Sequence, residues 1–145
     1  MASISYFTED TTFQITQKRS LTAWIKQVIL DEGYQLELLN FIFCSDNYLL
    51  SINKQYLDHD YFTDIITFEQ SEDPSTIEGD IFISIDRVKE NADTFNTKFS
   101  QELYRVMIHG VLHLCGYMDH TPEEKEQMRD KESYYLHILS IKHST

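Results

Sequence analysis

A chain of 145 residues, 41% hydrophobic and 13% aromatic with those residues spread along its whole length, can bury a core, which excludes a disordered or fibrous protein. Its 12 basic and 24 acidic residues give a formal net charge of −12, so the molecule repels polyanions and anionic membrane at long range, which counts against ordinary nucleic-acid binding without excluding a local cationic site built from a metal and a few Lys or Arg. Two distant cysteines, Cys44 and Cys115, exclude a disulfide framework and a thiolate zinc knuckle, and no stretch approaches the ~20 apolar residues of a membrane span.

In chain order, Ile4–Phe7 and Thr11–Ile15 read as short strands, the second from alternation at Thr11, Phe13 and Ile15. Leu21, Trp24, Ile25, Val28 and Ile29 have helical spacing over about 17–31, and Gly33 terminates that helix. Leu36–Cys44 is a strand. Ser45-Asp46 caps a helix carrying Tyr48, Leu49, Ile52 and Tyr56. Asp64–Phe68 is a buried strand, 70–78 a polar loop around Pro74, and Asp80–Ile85 a further strand. Asp86 is expected to cap a helix to about Asn96, and Ser100 one over about 101–115 that ends at Gly116. Thr121-Pro122-Glu123-Glu124 has the residues of a capping box and opens a last helix to about Ser140. This mixture predicts an α+β fold: one domain over 1–145, with a small mixed β-sheet packed with several helices. The opening residues, with Glu9 and Asp10, lack the basic end and apolar core of a signal peptide, so the expected compartment is the cytoplasm.

Chemistry concentrates between Arg105 and His120. His109 and His113, four apart on a helix, point the same way, and their separation suits two imidazoles on one zinc ion with bonds of about 2.0–2.1 Å. The rest of that helix is apolar (Leu103, Met107, Val111, Leu114; Ile108, Leu112, Cys115), so the imidazoles enter the interior and need partners. Gly116 lets the chain fold back and return a third donor. Spacing favours Asp119; the frequency of histidine in zinc sites favours His120. Three protein ligands leave a position open, as in catalytic zinc sites, and point to hydrolysis. Cys44 and Cys115 read as core residues, His137 and His143 as solvated, and His59 as part of a charged loop. A peptidase of the His-Glu-x-x-His type needs a glutamate where this chain has Gly110; Glu78, Asp80 and Glu102 are the substitutes to consider.

The run His109-Gly110-Val111-Leu112-His113-Leu114-Cys115-Gly116-Tyr117 resembles the signature of the YbeY family of bacterial endoribonucleases. Asn53–Phe68, with Tyr56 and Thr63-Asp64-Ile65-Ile66-Thr67-Phe68, and Glu78–Ser84 resemble two further blocks of that family. The resemblance implies a metal-dependent, single-strand-specific endoribonuclease in maturation of the 3′ end of 16S ribosomal RNA and in ribosome quality control. It implies one zinc ion per chain and, as partners, single-stranded rRNA with the small ribosomal subunit or ribosome-associated proteins. His109 and His113 match the family's metal positions; Asp119 falls where the family has its last histidine, and His120 follows one residue late. The family's arginine after Tyr56 is replaced by Leu57. Lys54, or Arg105 one turn before His109, is the candidate to compensate, and Arg105 is the expected catalytic side chain. Tyr56, Asp64 and Asp80 are expected to be structural. The rival expectations are another zinc hydrolase, peptidase or amidase, and a non-catalytic ribosome-associated module closed by a fourth ligand.

Overall fold

A computed structural model describes residues 2–143, with the side chains of 141–143 left out. The elements are β1 (Ser3–Glu9), α1 (Lys18–Asp31), β2 (Gln35–Cys44), α2 (Asp46–Leu57), β3 (Ile65–Glu69), β4 (Thr76–Ser84), α3 (Ile85–Thr94), α4 (Phe99–Leu114) and α5 (Pro122–His143). The sheet runs β1-β2-β4-β3, with β1, β2 and β4 parallel and β3 antiparallel to β4. This is the mixed sheet of an α+β protein. Among the described residues no helix is long and apolar enough to cross a membrane.

The core lies where α1 and α4 meet the sheet, with Trp24, Phe41, Phe43, Ile81, Ile83, Met107 and Ile108 almost fully buried. Each such side chain contributes roughly 1.5–3 kcal/mol of transfer free energy. Gly110 explains how closely α4 lies on the sheet. A Cβ there would stand 2.8 Å from Ile65 Cδ1 and 3.0 Å from Ile81 Cγ2. Trp24 Nε1 donates to the Tyr135 carbonyl at 2.9 Å and ties α1 to α5. Cys44 and Cys115 are buried and free, and burial pushes both thiols up to about 12, so neither is a nucleophile at neutral pH.

Four expectations need correction. Thr11–Ile15 forms no strand; its alternation records the burial of Ile15 and the edge-on packing of Phe13 on Phe43 and Phe99, not pairing. β4 begins at Thr76, four residues early, because Ile77 is a core residue paired with Leu36. α3 is capped by Ser84, whose Oγ accepts from Arg87 N, while Asp86 accepts from Asp46 N at the start of α2. α4 starts at Phe99 behind Lys98, which makes no side-chain cap. The Thr121 capping box forms as read: Thr121 Oγ1 accepts from Glu124 N, and Glu124 Oε1 accepts from Thr121 N.

Candidate metal centre

α4 brings its two histidines together at its C-terminal end. The rings meet edge to face, 4.5 Å between centroids, and His109 Nε2 lies 2.9 Å from His113 Nε2. The helix then stops. Gly116, at φ +98°, donates its N–H to the His113 carbonyl, and Tyr117 N donates to the Leu112 carbonyl. The reversed chain carries Asp119 back, placing its Oδ2 3.4 Å from His109 Nε2 and 3.5 Å from His113 Nε2. Two anchors fix this turn: the Tyr117 carbonyl accepts from His113 Nδ1 at 2.9 Å, and Tyr117 Oη donates to Glu32 at 2.7 Å. Glu32 also accepts from Lys131 and Tyr135, and these bonds outweigh burial to hold its carboxyl below the usual range.

The partners settle what each ring nitrogen does. The Tyr117 carbonyl can only accept, so His113 Nδ1 carries its hydrogen. Glu132, on α5, accepts from His109 Nδ1 at 2.6 Å through Oε2, so that nitrogen is also a donor. Both Nε2 atoms of the neutral rings are therefore lone pairs, and they face each other and a carboxylate oxygen. Three acceptors converge with no donor among them, which is unfavourable unless a cation stands between. Donors sharing one zinc ion at about 2.0–2.2 Å lie roughly 2.9–3.5 Å apart for angles between about 90° and 110°, and the three separations here fit. His109, His113 and Asp119 form a group of the right size for a metal ion. Their side chains keep a fifth to a third of their surface exposed, so a further ligand can reach the point from solvent.

The electrostatics favour positive charge at the same point. Burial alone would lower His109, but the hydrogen bond and charge of Glu132 outweigh it and raise its pKa, so Nε2 of His109 takes a proton or a metal ion readily, while His113 is lowered by burial and by His109. Glu132 is 5% exposed, and its Oε1 accepts from Arg105 Nη1 at 2.8 Å. Arg105 also donates to Ser133 Oγ at 3.2 Å, so its guanidinium is held against α5. An open groove of about 370 Å³ runs along His109, lined by Asp64, Asn91, Phe95, Glu102, Arg105 and Arg129 among others. Burial raises the carboxyls of Asp64 and Glu102 there.

Of the four expected metal residues, the structure brings together His109, His113 and Asp119. His120 is exposed, its N–H donates to Glu124, and it stands outside the group. Arg105 lies beside His109 as its helical position implies. Leu57 is exposed, and Lys54 pairs with Asp60 rather than entering the groove. Of the three substitute acids, Glu102 lines the groove; Glu78 and Asp80 do not, Asp80 binding Asn40 and Gln70. Asp64, expected to be structural, bonds Asn91 and also lines the groove. His59 stacks on Tyr61, and His137 is exposed; the His143 side chain lies outside the described residues. Glu132 is the residue that reading by motif misses. Its signal is a carboxylate on the buried stripe of α5, where Met128, Glu132, Tyr135 and Leu139 recur at helical spacing. A larger hollow of about 810 Å³, lined by Glu32, Tyr134 and Tyr135, contains none of the three converging side chains.

The fold and site define a class: an α+β protein with a candidate metal centre at the C-terminal end of a core helix, beside a groove. Within it the chain belongs to the YbeY family, since the family described as "Endoribonuclease YbeY" matches residues 5–140. A protein named endoribonuclease YbeY from Amoebophilus asiaticus is 56% identical over 135 residues, 93% of this chain and 92% of that protein. Another of the same name from Cytophaga hutchinsonii is 52% identical, covering 94% and 95%. The solution structure of a Thermotoga maritima protein superposes with a TM-score of 0.66 at 27% identity, covering 94% of this chain and 89% of that one.

Proposed function

We propose that this protein is a zinc-dependent endoribonuclease that cuts single-stranded ribosomal RNA. On this reading it works in the cytoplasm, in maturation of the 3′ end of 16S rRNA and in ribosome quality control, with the small ribosomal subunit or its associated proteins as context. The observation that carries the reading is the convergence of three acceptor atoms on one point beside an open groove, in a chain whose relatives are named endoribonucleases. His109, His113 and Asp119 hold the ion. When bound, zinc supplies Lewis acidity toward a phosphoryl oxygen and activates water.

The chain's own residues do the rest. Glu132 fixes the His109 ring so that Nε2 faces Asp119 and His113. Arg105, braced by Glu132 and Ser133, keeps further N–H groups for a phosphate in the groove, and Lys125 and Arg129 add positive charge along the same wall. Asp64 and Glu102, with carboxyls raised by burial, can each hold a proton at the groove wall. A peptidase of the His-Glu-x-x-His type fails on space: position 110 points into Ile65 and Ile81, which leave no room for its glutamate. A closed, non-catalytic site needs a fourth protein ligand, and among the described residues none joins the three.

The test is cleavage of a labelled single-stranded RNA by zinc-loaded protein, with and without chelator, beside a His113→Ala variant. Cleavage that chelator stops and the variant lacks is the expected result. Zinc-loaded protein that cuts no RNA overturns the reading.

A further inference from the structure

One face of α3 leads from the segment after α2 into the groove. Arg87, Asn91 and Phe95 recur every four residues and share that face. The Arg87 guanidinium lies 4.9 Å over the Phe62 ring. Asn91 Nδ2 donates to Asp64 at 3.3 Å, and Phe95, just past the end of the helix, lines the groove with His109 and Arg105. Helical rise puts Arg87 and Phe95 roughly 12 Å apart, more than one nucleotide of strand.

An aromatic ring stands in solvent at each end of this row: Phe62 is 45% exposed and Phe95 61%. The Phe62 end is held, not loose. Asn53, 2% exposed, donates Nδ2 to the Tyr61 carbonyl at 2.9 Å, and its own carbonyl accepts from His59 N at 3.1 Å.

Resting on the endoribonuclease reading, we propose that Phe95 and the Phe62–Arg87 pair form the stacking platform for unpaired bases of the RNA strand on its way through the groove, with Asn91 and Asp64 between them offering polar groups to base edges. Three observations select this occupant. The row is continuous with the groove that holds the candidate metal centre. The rings are separated by polar side chains, whereas a protein-docking patch is a contiguous apolar surface. The molecule carries a net charge of −12, so attraction to phosphates is confined to the few cations of the groove, while stacking on a neutral ring is indifferent to that charge. The platform also supplies a physical origin for single-strand selectivity, because a duplex hides the base faces that the rings would contact.

The experiment uses zinc-loaded protein and a single-stranded RNA containing 2-aminopurine, whose fluorescence reports stacking, with cleavage followed in parallel. Phe95→Leu keeps the apolar volume and loses the ring; Phe95→Tyr keeps the ring. The expected result for Phe95→Leu is RNA binding weaker by roughly 5- to 100-fold and a correspondingly raised KM, with kcat little changed and zinc content the same. Phe95→Tyr binds as the parent does, and Phe62→Leu falls in the same direction as Phe95→Leu. Parent and Phe95→Leu proteins that bind and cut alike overturn the platform while leaving the nuclease reading intact. A parent protein that binds RNA with ring-dependent quenching but cuts nothing supports the platform and overturns the nuclease. A parent that does not bind RNA overturns both.

Discussion

Glu132 shows how much of the site depends on one residue outside the motif. Its two oxygens answer two different helix positions, Oε2 taking the Nδ1 hydrogen of His109 and Oε1 the Arg105 guanidinium. A carboxylate behind a metal-binding imidazole fixes its orientation and raises its basicity, and losing such a partner typically costs about 10- to 100-fold in metal affinity. Glu132→Gln keeps the shape and a hydrogen-bond acceptor for His109 but loses the charge. Zinc affinity measured by competition with a chromophoric chelator is therefore expected to fall by about one order of magnitude or more, with the fold retained by circular dichroism. Unchanged affinity would mean that the two α4 histidines and Asp119 are oriented by the turn alone. The approach of His109 and His113 and the return of the chain toward them were legible in the sequence because helical spacing and a glycine turn are local rules, while the choice between Asp119 and His120 stayed open there. Glu132 was not, because its contact with His109 spans 23 positions and depends on how α5 docks.

At the scale of elements, two glycines of the α4 segment do opposite jobs. Gly110 is there for proximity: an added methyl would press into Ile65 and Ile81, so Gly110→Ala trades about 1 kcal/mol of helix propensity against an overpacking cost of roughly 1–3 kcal/mol. Gly116 is there for conformation. Its φ of +98° is strained for any other residue, while its nearest neighbour, Tyr34 Oη at 3.5 Å, would be in ordinary contact. Gly116→Ala is expected to cost about 1–2 kcal/mol. Thermal melts of both metal-free variants should fall by a few degrees. Zinc titration should separate them: Gly116→Ala weakens binding, because the turn delivers Asp119, and Gly110→Ala leaves it within a few-fold. The same contrast explains which elements the sequence revealed. α4 carries a long apolar stripe and the stop signal of Gly116, and α5 the start signal of its capping box, so they were readable. The Thr11–Ile15 segment was misread because alternation reports burial of one side equally well whether or not a neighbouring strand exists, and among the described residues β1 pairs only with β2.

For the whole molecule, the open question is how a chain of net charge −12 holds a polyanion. Three cationic side chains, Arg105, Lys125 and Arg129, line the groove, and the first is already paired with Glu132. If each neutralised one phosphate of a single strand, the slope of log binding constant against log salt concentration would be about −2, at roughly −0.7 per contact. The surrounding carboxylates can only make it shallower, because salt screens their repulsion of RNA as well as the attraction of the three cations. Binding measured by fluorescence anisotropy between about 50 and 200 mM salt is thus expected to weaken by no more than about 20-fold, against roughly 10³-fold or more for a protein making six to ten phosphate contacts. A slope of that steeper kind would place an extended cationic face on the protein and remove the need for stacking. A shallow slope together with ring-dependent binding would mean that the strand is held by its bases and at the metal, with the acidic remainder of the surface keeping other nucleic acid away.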